Sequence, residues 1–160
     1  FYVMPLDWHP LDGNTGLTVG LEHQSNGRAG LHSRSWNRAY LNLLYERNRT
    51  VVYVRPWYRL PEEQKTDIND AHGDDNPDIV DYLGHGEIGL GYDFGDYKVS
   101  VLGRGNVKTG KGSATLNVTT PLYGKLRGYI KVFHGYGDSL IDYNHSQTRF
   151  GLGVTLNDLF

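Results

Sequence analysis

The chain has 160 residues, with 16 Lys+Arg against 18 Asp+Glu, seven His, one Met and no Cys. That length predicts a single domain over residues 1–160, and a formal charge of −2 excludes a general nucleic-acid-binding surface, which needs a concentrated basic excess. Without cysteine there is no disulfide framework or thiolate chemistry, and no uninterrupted apolar stretch approaches the roughly 18–20 residues of a membrane helix.

Residues 1–8 read as the remnant of a strand. From 16 to 25, Leu17, Val19 and Leu21 alternate with Thr18, Gly20, Glu22 and Gln24. From 36 to 46, Asn37, Ala39, Leu41, Leu43 and Tyr45 oppose Arg38, Asn42 and Glu46, and a further run covers about 50–59. Tyr82, Ile88, Leu90, Tyr92 and Phe94 then oppose His85, Glu87, Gly89, Gly91 and Asp93. Val99, Val101 and Val107 oppose Lys98, Ser100, Arg104 and Asn106. Ala114, Leu116, Val118 and Leu122 alternate with Ser113, Thr115, Asn117 and Thr119, and Leu126, Ile130 and Val132 with Lys125, Arg127, Tyr129 and Lys131. Last, Phe150, Leu152, Val154, Leu156 and Phe160 alternate with Arg149, Gly151, Gly153, Thr155 and Asn157. A strand turns successive side chains to opposite faces, so period two predicts an oily face and a small or charged one.

The prediction is about eight strands of roughly ten residues plus the remnant, longer than ordinary soluble strands of about five or six. Roughly ten residues is what a tilted strand needs to cross a bilayer. Short connections at 9–15, 47–49, 95–96 and 123–124 alternate with mostly longer, polar ones at 26–35, 60–81, 108–112 and 135–146. The expected fold is therefore all-β, a transmembrane antiparallel β-barrel of outer-membrane type. A soluble β-sandwich or lipocalin-like barrel would turn the oily face inward and leaves the ordered charges of the other face without a use. With the short turns periplasmic, the last strand descends and so does the remnant, which starts the chain on the outer side. Complete bacterial barrels have an even strand count and periplasmic termini, so the chain is expected to be the C-terminal part of a larger barrel; no signal peptide is visible.

Three polar residues fall on the oily register. His23 and Ser25 continue the odd positions of their strand, and Asn37 shares a face with Ala39 and Leu41, near the outer ends of two neighbouring strands. Polar groups facing hydrocarbon are costly. Either these positions lie among headgroups, or they form a hydrolytic triad. In the second case His23 takes the Ser25 proton and Asn37 accepts the other imidazole N–H and fixes the tautomer.

The stretch Glu22-His23-Gln24-Ser25-Asn26-Gly27-Arg28, followed by Ser33-Arg34-Ser35-Trp36-Asn37-Arg38, closely resembles the signature of the outer membrane phospholipase A family. Arg55-Pro56-Trp57-Tyr58, Asp74-Asp75-Asn76-Pro77-Asp78, the segment 135–144 and the ending Leu156-Asn157-Asp158-Leu159-Phe160 look like the same family, so the similarity runs from about residue 16 onward. The resemblance implies a twelve-stranded barrel in the bacterial outer membrane that hydrolyses acyl esters of phospholipids and lysophospholipids, requires Ca2+, and is active as a homodimer with its site toward the outer leaflet. It implies Ser25 as nucleophile, His23 as general base and Asn37 as orienting amide. An oxyanion hole would come from the Gly27 N–H with calcium-bound water, and calcium would be held by the Arg28 carbonyl and the Ser33 hydroxyl. Oxygen donors of this kind suit a hard cation acting as a Lewis acid.

Two departures accompany the resemblance. The family's first strands have no counterpart in these 160 residues, and the partner-subunit serine that completes the family's calcium site is expected to lie in that region. The loop 60–81 is longer than expected and carries Glu62, Glu63, Asp67, Asp70, Asp74, Asp75, Asp78 and Asp81 against Lys65. It is expected to be a solvated acidic loop, the alternative being a secondary calcium site at Asp75 and Asn76. Glu22, Arg38, Glu46, Glu87, Arg104 and Arg149 are expected to form an interior ion-pair network, Trp36, Trp57 and the tyrosines an interfacial girdle, and Phe160 the usual barrel terminus. Competing functions are a barrel esterase that deacylates lipid A, disfavoured by Asn37 where an acidic residue is needed, and a non-enzymatic porin, adhesin or structural barrel.

Overall fold

Residues 1–67, 69–70 and 72–156 are described by a computed structural model. The period-two pattern becomes nine strands: β1 (Tyr2–Leu6), β2 (Asn14–Ser25), β3 (Ser35–Arg47), β4 (Thr50–Arg59), β5 (Gly86–Asp93), β6 (Lys98–Asn106), β7 (Lys111–Tyr123), β8 (Leu126–Tyr136) and β9 (Ser146–Thr155). They form one antiparallel meander in the order β1 to β9, each strand bonded to its neighbours in sequence. Pairing stays in phase over long distances. Leu90 faces Val101, Val101 faces Leu116, Leu116 faces Val132 and Val132 faces Phe150, a continuous apolar row across five strands. That row lies on an open face, where Phe150 and Leu152 are 78% and 85% exposed. A soluble sheet would bury such a surface, whereas a barrel wall turns it to hydrocarbon.

The opposite, inner face is polar and internally bonded. Tyr129 donates to Asn117 at 2.7 Å, and Asn117 donates to Ser100 at 3.1 Å, linking three strands. Arg38 pairs with Glu22 at 2.8 Å, Arg55 with Glu87 at 3.4 Å, and Asp138 receives Lys131 at 3.3 Å and Arg149 at 3.0 Å. In each pair one partner is largely shielded, Arg38, Glu87 and Asp138, and the other is more exposed, so the network compensates the shielded charges on the inner face. Glu46 stands apart from them, exposed beside the β3–β4 turn.

At the end where β2 stops and β3 begins, the connection from β4 to β5 folds back over the inner face. Its last turn is a short helix, α1 (Ile79–Leu83), whose Ile79 and Leu83 pack with Trp36, Trp57 and Tyr143. Gly84 closes the helix at φ +70° against β6, where a Cβ would stand 1.8 Å from the Gly105 carbonyl oxygen, so only glycine fits. The Gly84 carbonyl accepts the Trp57 indole N–H at 2.9 Å.

Several sequence expectations change here. Trp36 and Trp57 are not girdle residues: both are buried, 0% and 6% exposed, beneath α1, because a plug on the inner face offers rings more contact than the wall does. Tyr82 belongs to α1 rather than to a strand, and β5 begins only at Gly86. The connection expected as a loop at 108–112 is a tight turn, since β6 runs to Asn106 and β7 starts at Lys111. The ending 157–160, including Phe160, lies outside the described residues.

Candidate active site

His23 and Asn37 are direct partners across the β2–β3 ladder, and Ser25 faces Ser35 two positions on. His23 and Ser25 are exposed on the same side as Leu21, whereas Trp36 and Arg38, flanking Asn37, are buried on the other. The His23 Nδ1 lies 2.8 Å from Asn37 Oδ1. An amide oxygen only accepts, so Nδ1 carries the hydrogen and Nε2 is the nitrogen left to take a proton from a neighbouring hydroxyl.

The strand bearing this pair is pinned from behind. Gln24, between His23 and Ser25, turns inward and accepts the Trp36 indole N–H at 3.0 Å. The Arg38 guanidinium stacks 4.0 Å from the Trp36 ring centre and 5.0 Å from that of Trp57 while bonding Glu22. Inner-face residues thus fix the pleat that aims His23 and Ser25 outward.

Beyond Ser25 the chain loops through 26–34, and Asn26 braces the loop. Its N–H bonds the Arg34 carbonyl at 3.0 Å, and its side-chain oxygen accepts the N–H groups of Arg28 at 3.2 Å and Arg34 at 3.1 Å. Its amide nitrogen donates to the His32 carbonyl at 2.7 Å. Gly27 holds φ +67° inside this brace, with open space where a side chain would be. The Ser33 hydroxyl donates to Asp75 at 2.6 Å and Ser35 to the same oxygen at 3.2 Å, while the other Asp75 oxygen is bound by the Lys65 ammonium. Burial alone would raise the Asp75 carboxyl, but Lys65, Ser33 and Ser35 outweigh it and hold it below the usual carboxylate range.

The acidic loop is therefore docked, not solvated, over half its length. Arg59 pairs with Asp74, Asp75 is enclosed as above, and Tyr143 donates to Asp78. Fully buried Asn76 accepts the Ser35 N–H at 3.0 Å. The Asp75 carboxylate already has an internal cation in Lys65. Toward a hard cation, the Arg28 carbonyl and the Ser33 hydroxyl are suitable oxygen donors, with Asp75 negative behind Ser33. Sequence reasoning missed one contact entirely: the Asn37 amide nitrogen donates to Glu62 Oε1 at 3.2 Å. Nothing in the spacing of a loop glutamate signals it.

Fold and site together define an antiparallel β-sheet protein of the outer-membrane barrel type, with a hydrogen-bonded histidine–asparagine pair on its apolar face and a serine exposed on the same face two residues beyond the histidine. The family model described as Phospholipase A1 matches residues 1–156, and the chain belongs to that family. The phospholipase A1 of Escherichia coli is 45% identical over 144 residues, covering 90% of this chain and 46% of that protein, so the chain spans about half the length of the curated relatives it matches. Among solved structures, the outer membrane phospholipase A of Escherichia coli superposes with a TM-score of 0.87 at 41% identity, over 99% of this chain and 58% of that one. A Salmonella typhi outer membrane phospholipase, described as a dimer with bound calcium, superposes at 0.81 with 42% identity, over 92% of this chain and 54% of that one.

Proposed function

We propose that the protein is a calcium-dependent phospholipase of the bacterial outer membrane, hydrolysing acyl ester bonds of phospholipids and lysophospholipids as a homodimer. The observation that carries this reading is the 2.8 Å contact between His23 Nδ1 and Asn37 Oδ1 on the lipid-facing side of β2 and β3, beside Ser25. A phospholipid lying along the wall presents its tails to Leu21, Leu41 and Leu43 and its ester to Ser25. His23 Nε2 removes the Ser25 proton as the hydroxyl oxygen attacks the ester carbonyl. Asn37 keeps the ring in the competent tautomer and receives part of the charge of the imidazolium. The Gly27 N–H donates to the developing oxyanion, and His23 returns its proton to the leaving alkoxide. Water then repeats the sequence on the acyl-serine and releases a fatty acid. Arg28 through its carbonyl and Ser33 through its hydroxyl would hold calcium, which when bound supplies positive charge to polarise the ester carbonyl. Asp75, accepting from Ser33, directs that hydroxyl's lone pairs away from itself.

The test is ester hydrolysis of phospholipid micelles by the full-length refolded protein. Calcium-dependent release of fatty acid, abolished by a chelator and by Ser25→Ala, is the expected result. Equal hydrolysis after either treatment would reject the mechanism.

A further inference from the structure

Glu62 comes from the connection between β4 and β5, well outside the strands that carry His23, Ser25 and Asn37. It is half-buried, its carboxylate accepts the Asn37 amide N–H, and the segment around it is fixed at both ends. On one side the Leu60 N–H bonds the Asn37 carbonyl at 2.9 Å; on the other the Glu63 carbonyl accepts the Asp74 N–H at 2.8 Å and Lys65 pairs with Asp75. A segment tied to Asn37 two residues before Glu62 and to the docked loop one and three residues after it does not place its carboxylate at random.

We infer that Glu62 is a positioning residue that locks Asn37 and, through it, the tautomer of His23. An asparagine side chain can present its oxygen or its nitrogen to the same neighbour, and the two choices have opposite consequences here. With the oxygen toward His23, Nδ1 is protonated and Nε2 is a base. With the nitrogen toward His23, Nδ1 must accept, the proton moves to Nε2, and the ring cannot take a proton from Ser25. A neutral partner behind Asn37 would permit either. A carboxylate accepts only, so it holds the amide nitrogen on its own side and the oxygen on that of His23. It also places a negative charge one amide away from the imidazole, the charge that an Asn-based triad otherwise lacks, and relays it through a polarised hydrogen bond. Glu62 touches neither substrate nor reacting atoms and acts only through Asn37.

This inference deepens the proposed esterase reading, and two measurements on the full-length refolded protein separate them. The first is nitrogen-15 NMR of the His23 ring at rest, which needs no turnover. Wild type is expected as the Nδ1–H tautomer; Glu62→Ala is expected to populate both, and Glu62→Gln, whose amide can accept from Asn37 or donate to it, to fall between them. The second is hydrolysis of phospholipid micelles in saturating calcium. Glu62→Ala is expected to lower kcat about tenfold, the rate equivalent of one hydrogen bond to a charged group, with KM unchanged. Glu62→Gln is expected to fall between the two. If Glu62→Ala folds and leaves the His23 tautomer unchanged, Glu62 is not the lock, whatever Ser25→Ala shows. If it does not fold, Glu62→Gln decides: a tautomer unchanged from wild type overturns the inference, while a partial shift toward the Nε2–H tautomer with lowered kcat supports it.

Discussion

His23 and Asn37 face each other across the β2–β3 ladder with ring nitrogen and amide oxygen 2.8 Å apart, on the face of the sheet that carries the exposed leucines. Removing the amide leaves the nucleophile and base in place but frees the ring to rotate and exchange tautomers. Asn37→Ala is expected to retain hydrolysis at about one-tenth to one-hundredth of the wild-type kcat, one to two hydrogen bonds' worth of barrier, with KM little changed. Steady-state kinetics on micellar phospholipid checks this, and unaltered turnover would remove Asn37 from the mechanism.

The contact between Gln24 and Trp36 holds the pleat from behind. Trp36→Phe keeps a six-membered aromatic ring but loses the indole N–H that bonds Gln24 and leaves a cavity at a fully buried position. It is expected to cost about 1–3 kcal/mol in denaturant unfolding. It should also lower kcat, because the positions of His23 and Ser25 loosen together.

Gly84 bears against Gly105 at the end of α1, and its φ of +70° excludes ordinary side chains. Gly84→Ala is expected to destabilise the protein by more than about 2 kcal/mol, since a methyl group meets backbone that cannot move aside. Loss of near-ultraviolet dichroism from the Trp57 and Trp36 plug at lower temperature would register it.

Ile130 lies on the open apolar face, 46% exposed, between Val118 and Leu152 of the flanking strands. If that face meets hydrocarbon, Ile130→Lys should cost about 2–4 kcal/mol in folding into vesicles, the penalty of a cation near the bilayer centre. A change near zero would place that face in water.

The lowered carboxyl of Asp75 makes docking of its loop acid-sensitive. A group whose folded value is depressed adds stability above its unfolded pKa, about 3.9 for an aspartate, and that stability is lost as the pH falls through the folded value. Hydrogen exchange at the Ser35 and Asp74 amides, corrected for intrinsic rates, is expected to show constant protection from pH 7 to 5 and loss below about pH 4. Lys65→Met removes the ammonium and should abolish most of that pH dependence.

Strands were the legible part of this sequence. Alternation in β6 to β9 reports directly on a wall with two unlike faces, and β2 and β3 placed His23, Ser25 and Asn37 on one side by counting alone. What escaped was whatever depends on contacts distant in sequence. Tyr82 continued a period-two pattern yet sits in α1, because Ile79 and Leu83 gain more by packing on Trp36 and Trp57 than a four-residue extension of β5 would gain from pairing. The tryptophans looked interfacial by type, but type says nothing about which face a plug will cover. Glu62, one acid among eight in its loop, meets a partner 25 positions away, in a segment held by Leu60 on one side and by the docking of residues 74–76 on the other.

The most direct measurement is covalent labelling of the full-length protein in micelles with a fluorophosphonate bearing a long alkyl chain, followed by peptide mapping. Phosphonylation is expected at Ser25 alone, slowed in His23→Ala and to a lesser degree in Asn37→Ala, with Ser33 and Ser35 unlabelled. Label on another serine, or labelling of Ser25 at the same rate without His23, would contradict the triad.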